Sequence, residues 1–398
     1  METTKLSSGT SSGTSSGTSS GSSSGSSNSS DDEINFVGEL IKSKYLILNK
    51  LGYGSYCSVW NTYDIETRKL CALKIYNIDD IDDGISEKNI MDLIKKMNLP
   101  NVVLYDKVIE FEYNDDEYFA LTMQNCGYSL NDMRKIFRDI IKKDVDINLK
   151  YIMFIEKVKN DIEIILNKIH NNGYAHSDIK PENILIDIPK LESKIIYEQI
   201  VSLHDKLKKT KNKKIIPELI NLAKSLNTSI SITENDIMSY LSDFNYNIKL
   251  CDFGTTLKFS DDTIYKKHTS YYKSPRIILK YPLTKEYDYW SFACTLYELL
   301  SGSVLFNPFD EDLINKYEDI EDINLMYLIV STIGMPPIEM INNSKVSDVI
   351  FTFDRKAIRG YKKMEFNDYL SVLFTLETEK NKKKLYLLIK YIIEHLKF

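Results

Sequence analysis

The sequence predicts an α+β chain of two lobes, a small, mostly β N-terminal lobe and a larger, mostly α C-terminal lobe. Three observations predict it. Residues 45–76 read YLILNKLGYGSYCSVWNTYDIETRKLCALKIY, three β-branched and aromatic stretches broken by Gly-rich and Asp-Ile-Glu-Thr turns. From residue 150 onward, apolar residues recur at helical spacing in one segment after another. A length of 398 residues, 43% hydrophobic and 27% charged, suits two ordinary domains or one bilobal unit. A chain of that size buries a sizeable core without disulfides or metals.

The elements follow in order. Residues 3–30 are almost entirely Ser, Thr and Gly in a four-residue repeat punctuated by Gly9, Gly13, Gly17, Gly21 and Gly25. With almost nothing apolar to bury, residues 1–33 are expected to be a disordered tail, and on a sharper reading a phosphorylated one. The folded domain is expected over 34–398. Three strands over 45–76 precede a helix over 84–97, whose Ile85, Ile90, Met91 and Ile94 form one stripe. Strands at 102–112 and 117–123 complete the small lobe, about 45–124. The large lobe, about 127–398, opens with a helix over 150–172 carrying Ile152, Ile155, Val158, Ile162, Ile165, Leu166 and Ile169 at helical spacing. Further helices are expected at 286–302, closed by Gly302, and at 322–333, 366–376 and 382–397. Residues 187–247 interrupt this plan. They hold the lysine cluster KLKKTKNKK, 206–214, between helix-like stretches at 193–207 and 217–226. The lysines suit a solvated helix end, with a nuclear-localisation or docking patch as the alternative.

Charge and composition exclude several classes. A net charge of −6 and a pI near 5.6 argue against a general nucleic-acid binder. Five widely spaced cysteines, with no CxxC or Cys/His cluster, argue against a disulfide framework or structural zinc. No apolar run approaches the ~18–20 residues of a membrane span, and the N-terminus lacks a signal-peptide pattern. An intracellular protein with no membrane partner is expected, cytoplasmic or nuclear.

The chemistry resides in four stretches. Gly52-Tyr53-Gly54-Ser55-Tyr56-Cys57 joins two strands with glycines that let backbone approach a phosphate closely. Lys74, in Cys71-Ala72-Leu73-Lys74, sits in an apolar strand and needs an anion or a snorkelling path. Glu87, at the start of the next helix, could supply that anion. His176-Ser177-Asp178-Ile179-Lys180-Pro181-Glu182-Asn183 offers a carboxylate to take a hydroxyl proton, a cation and an oxygen ligand for Mg²⁺, in the order phosphoryl transfer requires. Asp252-Phe253-Gly254 adds a second metal carboxylate at a strand end.

These stretches together resemble the signature set of eukaryotic-type Ser/Thr protein kinases. The resemblance covers about 45–398, with a spacer insert at 187–247. Within that family the chain is most similar to the SR-protein-kinase branch of the CMGC group. The features are HSDIKPENIL, the long spacer before Asp252-Phe253-Gly254, the Asp288-Tyr289-Trp290-Ser291-Phe292-Ala293-Cys294 pattern, and Leu305-Phe306-Asn307-Pro308 with the later Ile333-Gly334. The resemblance implies a bilobal kinase fold and transfer of the ATP γ-phosphate to protein Ser/Thr hydroxyls with Mg²⁺. It implies that Leu51, Gly52, Gly54 and Val59 cover the phosphates, that Ala72 lines the adenine pocket, and that Lys74 holds the phosphates while paired with Glu87. Met123, Gln124 and Cys126 would form the approach to the interlobe hinge, with Met123 at its back wall. Asp178 would be the catalytic base, Lys180 the γ-phosphate contact, and Asn183 and Asp252 the metal ligands. Met91, His176 and Phe253 would stack between the lobes, Asp288 would anchor the catalytic loop, and Thr269 would face Asp178. A monomer is expected, acting on protein substrates that are basic, such as Arg/Ser-rich segments; acidic residues over 310–322 could attract them.

Two departures stand out. Ser177 replaces the Arg that normally pairs with a phosphorylated activation loop, so activity without that phosphorylation is expected. Ser274-Pro275-Arg276 reverses a charge at a position normally occupied by Glu. Arg276 is expected to pair with Glu377 or Glu379 near Asn381, which stands where the family has Arg. The insert is expected to be dispensable for chemistry. The cysteines near the nucleotide pocket, Cys57, Cys71, Cys126 and Cys251, read as packing residues. Alternatives are a pseudokinase scaffold, a CMGC kinase of another branch, or a small-molecule phosphotransferase.

Overall fold

The computed structural model describes residues 34–54, 56–134, 145–188, 190–210, 214–226, 246–260, 268–309, 321–358, 362–363 and 365–398. Residues 37–398 form one unit. The expectations for the tail (1–33), for Ser55 and for the acidic stretch 310–320 lie outside the described residues.

The β-rich part of the sequence pairs into one antiparallel sheet. Its strands are β1 (Leu40–Ile41), β2 (Tyr45–Tyr53), β3 (Cys57–Asp64), β4 (Lys69–Tyr76), β5 (Tyr105–Tyr113) and β6 (Asp116–Gln124), in spatial order β1-β2-β3-β4-β6-β5. β1 is too short to leave a pattern in the sequence. The β5–β6 hairpin closes through Asn114 and Asp115, both at positive φ, the conformation a two-residue turn requires and Asn and Asp tolerate. Helix α1 (Ile81–Lys96) packs on the sheet with Gly84, Glu87, Met91 and Ile94 buried. The stripe differs from the expected one. Ile85 points outward, and its place on the buried face is taken by a glycine and an ion-paired carboxylate, which an apolar pattern does not register.

The helical part contains α2 (Val145–Asn171), the short strands β7 (Tyr174–Ala175) and β8 (Ile184–Ile186), α3 (Leu191–Lys209) and α4 (Ile215–Leu226). Strands β9 (Ile248–Leu250) and β10 (Leu257–Lys258) follow, then α5 (Pro275–Ile278), α6 (Glu286–Ser301), α7 (Glu321–Ile333), α8 (Ile338–Asn343), α9 (Ser347–Ile350), α10 (Phe366–Phe374) and α11 (Lys382–His395). Helix α6 is buried from Tyr287 to Leu300 except at Tyr289, as a helix apolar on all sides should be. Gly302 ends it in the left-handed conformation, φ 80°, donating its N–H to the Glu298 carbonyl.

The insert proves to be part of the fold. Ser193, Ile196, Ile200, His204 and Leu207 form one buried stripe on α3, and Leu219 and Ala223 do the same on α4. These helices lie on the outer face of β2 and β3, where Ile196, Ile200, Leu219 and Ala223 share a core with Leu46, Leu48 and Tyr63. That explains why three successive residues of β2, Leu46, Ile47 and Leu48, are all buried: the sheet is covered on both faces. Polar contacts fix the register. The Tyr63 hydroxyl meets His204 Nδ1 at 3.0 Å, Arg68 pairs with Asp205 at 2.6 Å, and Tyr197 donates to the Arg68 carbonyl at 3.0 Å. A spacer outside the fold is therefore not what residues 191–226 are. Lys206, Lys208 and Lys209 form the last turn of α3, where cations oppose the helix dipole.

Candidate active site

Two short ladders hold the central stretch. β8 pairs with β9, and β7 with β10, so residues 176–183 are gripped against residues 251–256 at both ends. The Cys251 N–H donates to the Asn183 carbonyl at 3.0 Å, and Thr255 Oγ1 to the His176 carbonyl at 3.1 Å. Beneath the stretch, the fully buried Asp288 of α6 accepts the N–H groups of His176 and Ser177, each at 2.8 Å, and meets His170 Nε2 at 2.8 Å. Burial alone would raise the Asp288 carboxyl; the His170 hydrogen bond and nearby imidazoles more than offset it and hold it below the usual range. Ser177 and Asp252 both have positive φ, 70° and 63°, backbone strain maintained by these contacts.

Asp178 is the centre of one cluster. Its carboxylate accepts from Thr269 Oγ1 at 2.8 Å and Asn183 Nδ2 at 2.9 Å and pairs with Lys180 Nζ at 2.7 Å. Lys180 also donates to Thr269 Oγ1 at 3.0 Å. Burial works against the Lys180 charge, but Asp178 beside it raises its pKa above the ordinary value.

Lys74 is the centre of the other cluster. Its Nζ lies 2.7 Å from Glu87 Oε2 and 3.0 Å from Asp252 Oδ1. Burial disfavours the ammonium, yet the carboxylates of Asp252 and Glu87 hold it charged. Burial likewise opposes the Asp252 charge, but Lys74 outweighs it and brings the carboxyl down to about 2. Strand register places Val59, Lys74 and Leu121 side by side, and Ala72 beside Met123, so these side chains share one sheet face. Gly52 lies opposite Val59, and a Cβ at Gly52 or Gly54 would meet nothing within 4 Å, leaving open space under the turn; Leu51 is half-buried. His176 and Phe253 rings meet edge-on at 5.1 Å, and Met91 is buried in the same core.

The Gln124 side chain bonds Asp187 and Lys249, each at 2.5 Å. One expectation needs correction. Arg276 has no carboxylate partner among the described residues. Glu377 pairs instead with Lys382 at 3.0 Å, and the carboxylate that feels Arg276 is Glu286. Asn381, at the position expected to hold an Arg, is fully buried and makes neutral contacts: it accepts from Thr378 N–H and donates to Asn148 Oδ1 and the Leu376 carbonyl, at 2.8–2.9 Å. Asp322 and Glu321 lie 2.6 and 3.9 Å from Lys273 Nζ, with their carboxylates still partly exposed.

Cys126 is buried beside the strand end, and burial pushes the thiols of Cys57, Cys71 and Cys126 up to about 11, 12 and 12, as inert packing residues require. Sequence reasoning missed His170, whose polar edge closes an apolar helix, and a chain of buried Asn125, Asn61 and Ser193 with half-buried Asn49 that links the sheet to α3. It also missed the Tyr76 hydroxyl, 2.5 Å from Glu87 Oε2. A tyrosine in an otherwise apolar strand was the available signal, because a buried hydroxyl needs a partner.

The site fits a divalent cation with phosphate ligands. Asn183 donates twice through Nδ2, to the Asp178 backbone and side chain, which leaves its amide oxygen to join the ionised Asp252 as a hard donor set.

Comparison with known proteins gives a family model described as the protein kinase domain, matching residues 45–197 and 233–380 and passing over most of α3 and α4. A serine/threonine-protein kinase of Acanthamoeba polyphaga mimivirus is 24% identical, over 88% of this chain and 82% of its own length. Kinase dyrk2 of Dictyostelium discoideum is 24% identical over 85% of this chain but 29% of its own, and the SRPK of Physarum polycephalum 25% identical over 79% and 72%.

Proposed function

The chain belongs to the protein kinase family, and from that premise we propose how its residues carry out the reaction. It is a serine/threonine protein kinase, of a family that uses ATP and Mg²⁺ and acts on protein. Asp178 orients the substrate hydroxyl and accepts its proton. Lys180, held by Asp178 and Thr269, faces the transferred phosphate. Lys74, fixed by Glu87, positions the remaining phosphates, while Leu51, Gly52, Gly54 and Val59 cover them and Ala72, Met123, the Gln124 backbone and Cys126 line the base. Asn183 and Asp252 would hold Mg²⁺, which neutralises developing charge on the phosphates.

The observation that carries this reading is the pair of assembled clusters, Lys74–Glu87–Asp252 and Asp178–Lys180–Asn183–Thr269. A scaffold without activity would not need both. The kinase domain on this reading spans 34–398, with 1–33 as a tail. The similarity to the SRPK of Physarum polycephalum supports basic, Arg/Ser-rich substrates. So does Glu182, exposed between Lys180 and Asn183. A monomer in the cytoplasm or nucleus agrees with this, and among the described residues no helix is long and apolar enough to cross a membrane.

The test is phosphorylation of an arrayed peptide library by the purified protein with ATP and Mg²⁺, beside Asp178→Asn. Transfer to Ser/Thr peptides should fall about 10³-fold or more in the variant. Near-native turnover by Asp178→Asn would show the assignment to be wrong.

A further inference from the structure

Lys74 and Glu87 belong to different elements, strand β4 and helix α1, so something must keep the helix seated for the pair to exist. The structure shows a contact suited to that task. Tyr76, two residues beyond Lys74 on β4, is buried on the same side of the strand. Its ring packs against Phe119 of β6, with centroids 5.8 Å apart, and Lys74 Nζ lies 5.5 Å from its centre. Its hydroxyl donates to Glu87 Oε2, the oxygen that also accepts from Lys74. Oε1 of the same carboxylate is buried with no hydrogen-bond partner, so both donors act on a single oxygen.

A second observation is independent of the hydroxyl. Gly84 lies three residues before Glu87, one helical turn away on the same face. A Cβ there would come within 2.8 Å of Tyr76 Cδ2 and Cγ and 2.7 Å of Phe119 Cδ1. Helix α1 can settle onto the Tyr76 ring only because residue 84 has no side chain. The ring thus fixes the height of the helix and the hydroxyl fixes the carboxylate one turn on.

We infer that Tyr76 is a positioning residue that keeps Glu87 seated against Lys74 before nucleotide arrives. The inference rests on the kinase reading of the site. A hydrogen bond to a buried carboxylate is among the stronger ones. Without it Glu87 retains Lys74 as its charged donor, and α1 spends part of its time unseated. Nucleotide phosphates bound to Lys74 restore the pair at saturation. The loss should therefore fall mainly on apparent affinity, because the apparent Kd is the intrinsic Kd divided by the competent fraction.

Tyr76→Phe keeps the ring and removes the hydroxyl. The expected result is a KM for ATP raised about tenfold, a kcat lowered less than threefold, and an equal rise in the Kd for MgADP measured by titration calorimetry. Gly84→Ala, which lifts the helix off the ring, should move KM and Kd the same way. A Tyr76→Phe protein with a lower Tm but unaltered KM and Kd would overturn the inference, because the hydroxyl would then serve stability alone. Wild-type protein that binds MgADP but transfers no phosphate would instead defeat the kinase reading, and the Kd comparison would still decide the role of Tyr76.

Discussion

Ile200→Ala tests whether the inserted hairpin is part of the N-terminal lobe. Ile200 is fully buried on α3, in the core that Leu46, Leu48 and Tyr63 share with Leu219 and Ala223. Walls contributed by two helices and two strands leave little room for collapse, so the substitution should cost about 2–5 kcal/mol, transfer and cavity terms together. That is a large part of a typical stability of about 5–15 kcal/mol. The chain holds two tryptophans, Trp60 on β3 and Trp290 on α6, both buried. A Trp290→Phe background leaves Trp60 as a fluorescence reporter of the sheet. Urea unfolding followed at Trp60 should shift to lower midpoint in Ile200→Ala, and only slightly in Ile200→Val, at about 0.5–1.5 kcal/mol. If the Trp60 transition stays put while helical signal is lost early, the hairpin frays by itself and the shared core contributes nothing to the lobe.

Protein stripped by a phosphatase should work about as well as untreated protein, since Ser177 offers no guanidinium to a phosphate and the segment is tied by Thr255 to His176 and by His268 to the Ser177 carbonyl; a large fall in turnover would reject this. His204 is held below its usual pKa of 6.5 by burial and by Arg68. The folded state therefore resists its protonation, so stability is intact above pH 6.5 and falls as the unfolded state takes up protons below it. Tyr63, Arg68, Asp205 and Lys208 surround the ring, and His204→Gln should flatten the dependence of Tm on pH between 7.5 and 5.5. Arg276→Ala should change stability by about 0–1 kcal/mol, whereas Asn381→Ala, which strands buried Asn148 and two half-buried backbone groups, should cost about 1–3 kcal/mol; equal effects would refute the assignment of the stabilising polar contact to Asn381 rather than Arg276.

The sequence was most legible where the chemistry is local in the chain. Asp178, Lys180 and Asn183 lie within six residues, and their spacing alone sets a carboxylate, a cation and an amide on one loop. The strands and long helices were legible because period and turn residues agree. Long-range pairings were not. The stripe on α3 was visible as periodicity, but nothing in it names β2 as its partner. The clue lay in the partner: Tyr45-Leu46-Ile47-Leu48 is apolar on both faces, which a sheet with one solvated side does not need. Glu87 on the buried face of α1 escaped an apolar count because its burial depends on Lys74 and Tyr76. Arg276 was assigned a carboxylate by analogy, while Asn381, at the position expected to hold an Arg, makes neutral hydrogen bonds to Thr378, Asn148 and Leu376.

The inserted hairpin also affects the order of events at the ribosome. β2 and β3 can pair as soon as they emerge, but the side chains that cover Leu46, Leu48 and Tyr63 come from α3 and α4. Leu219 is translated about 170 residues after Leu46, which at ~5–20 residues per second is roughly 10–35 s. During that interval the nascent sheet carries an uncovered apolar face. The kinase should therefore rely on a holdase chaperone early in synthesis, and a chain truncated before residue 191 should aggregate even though its six strands are complete.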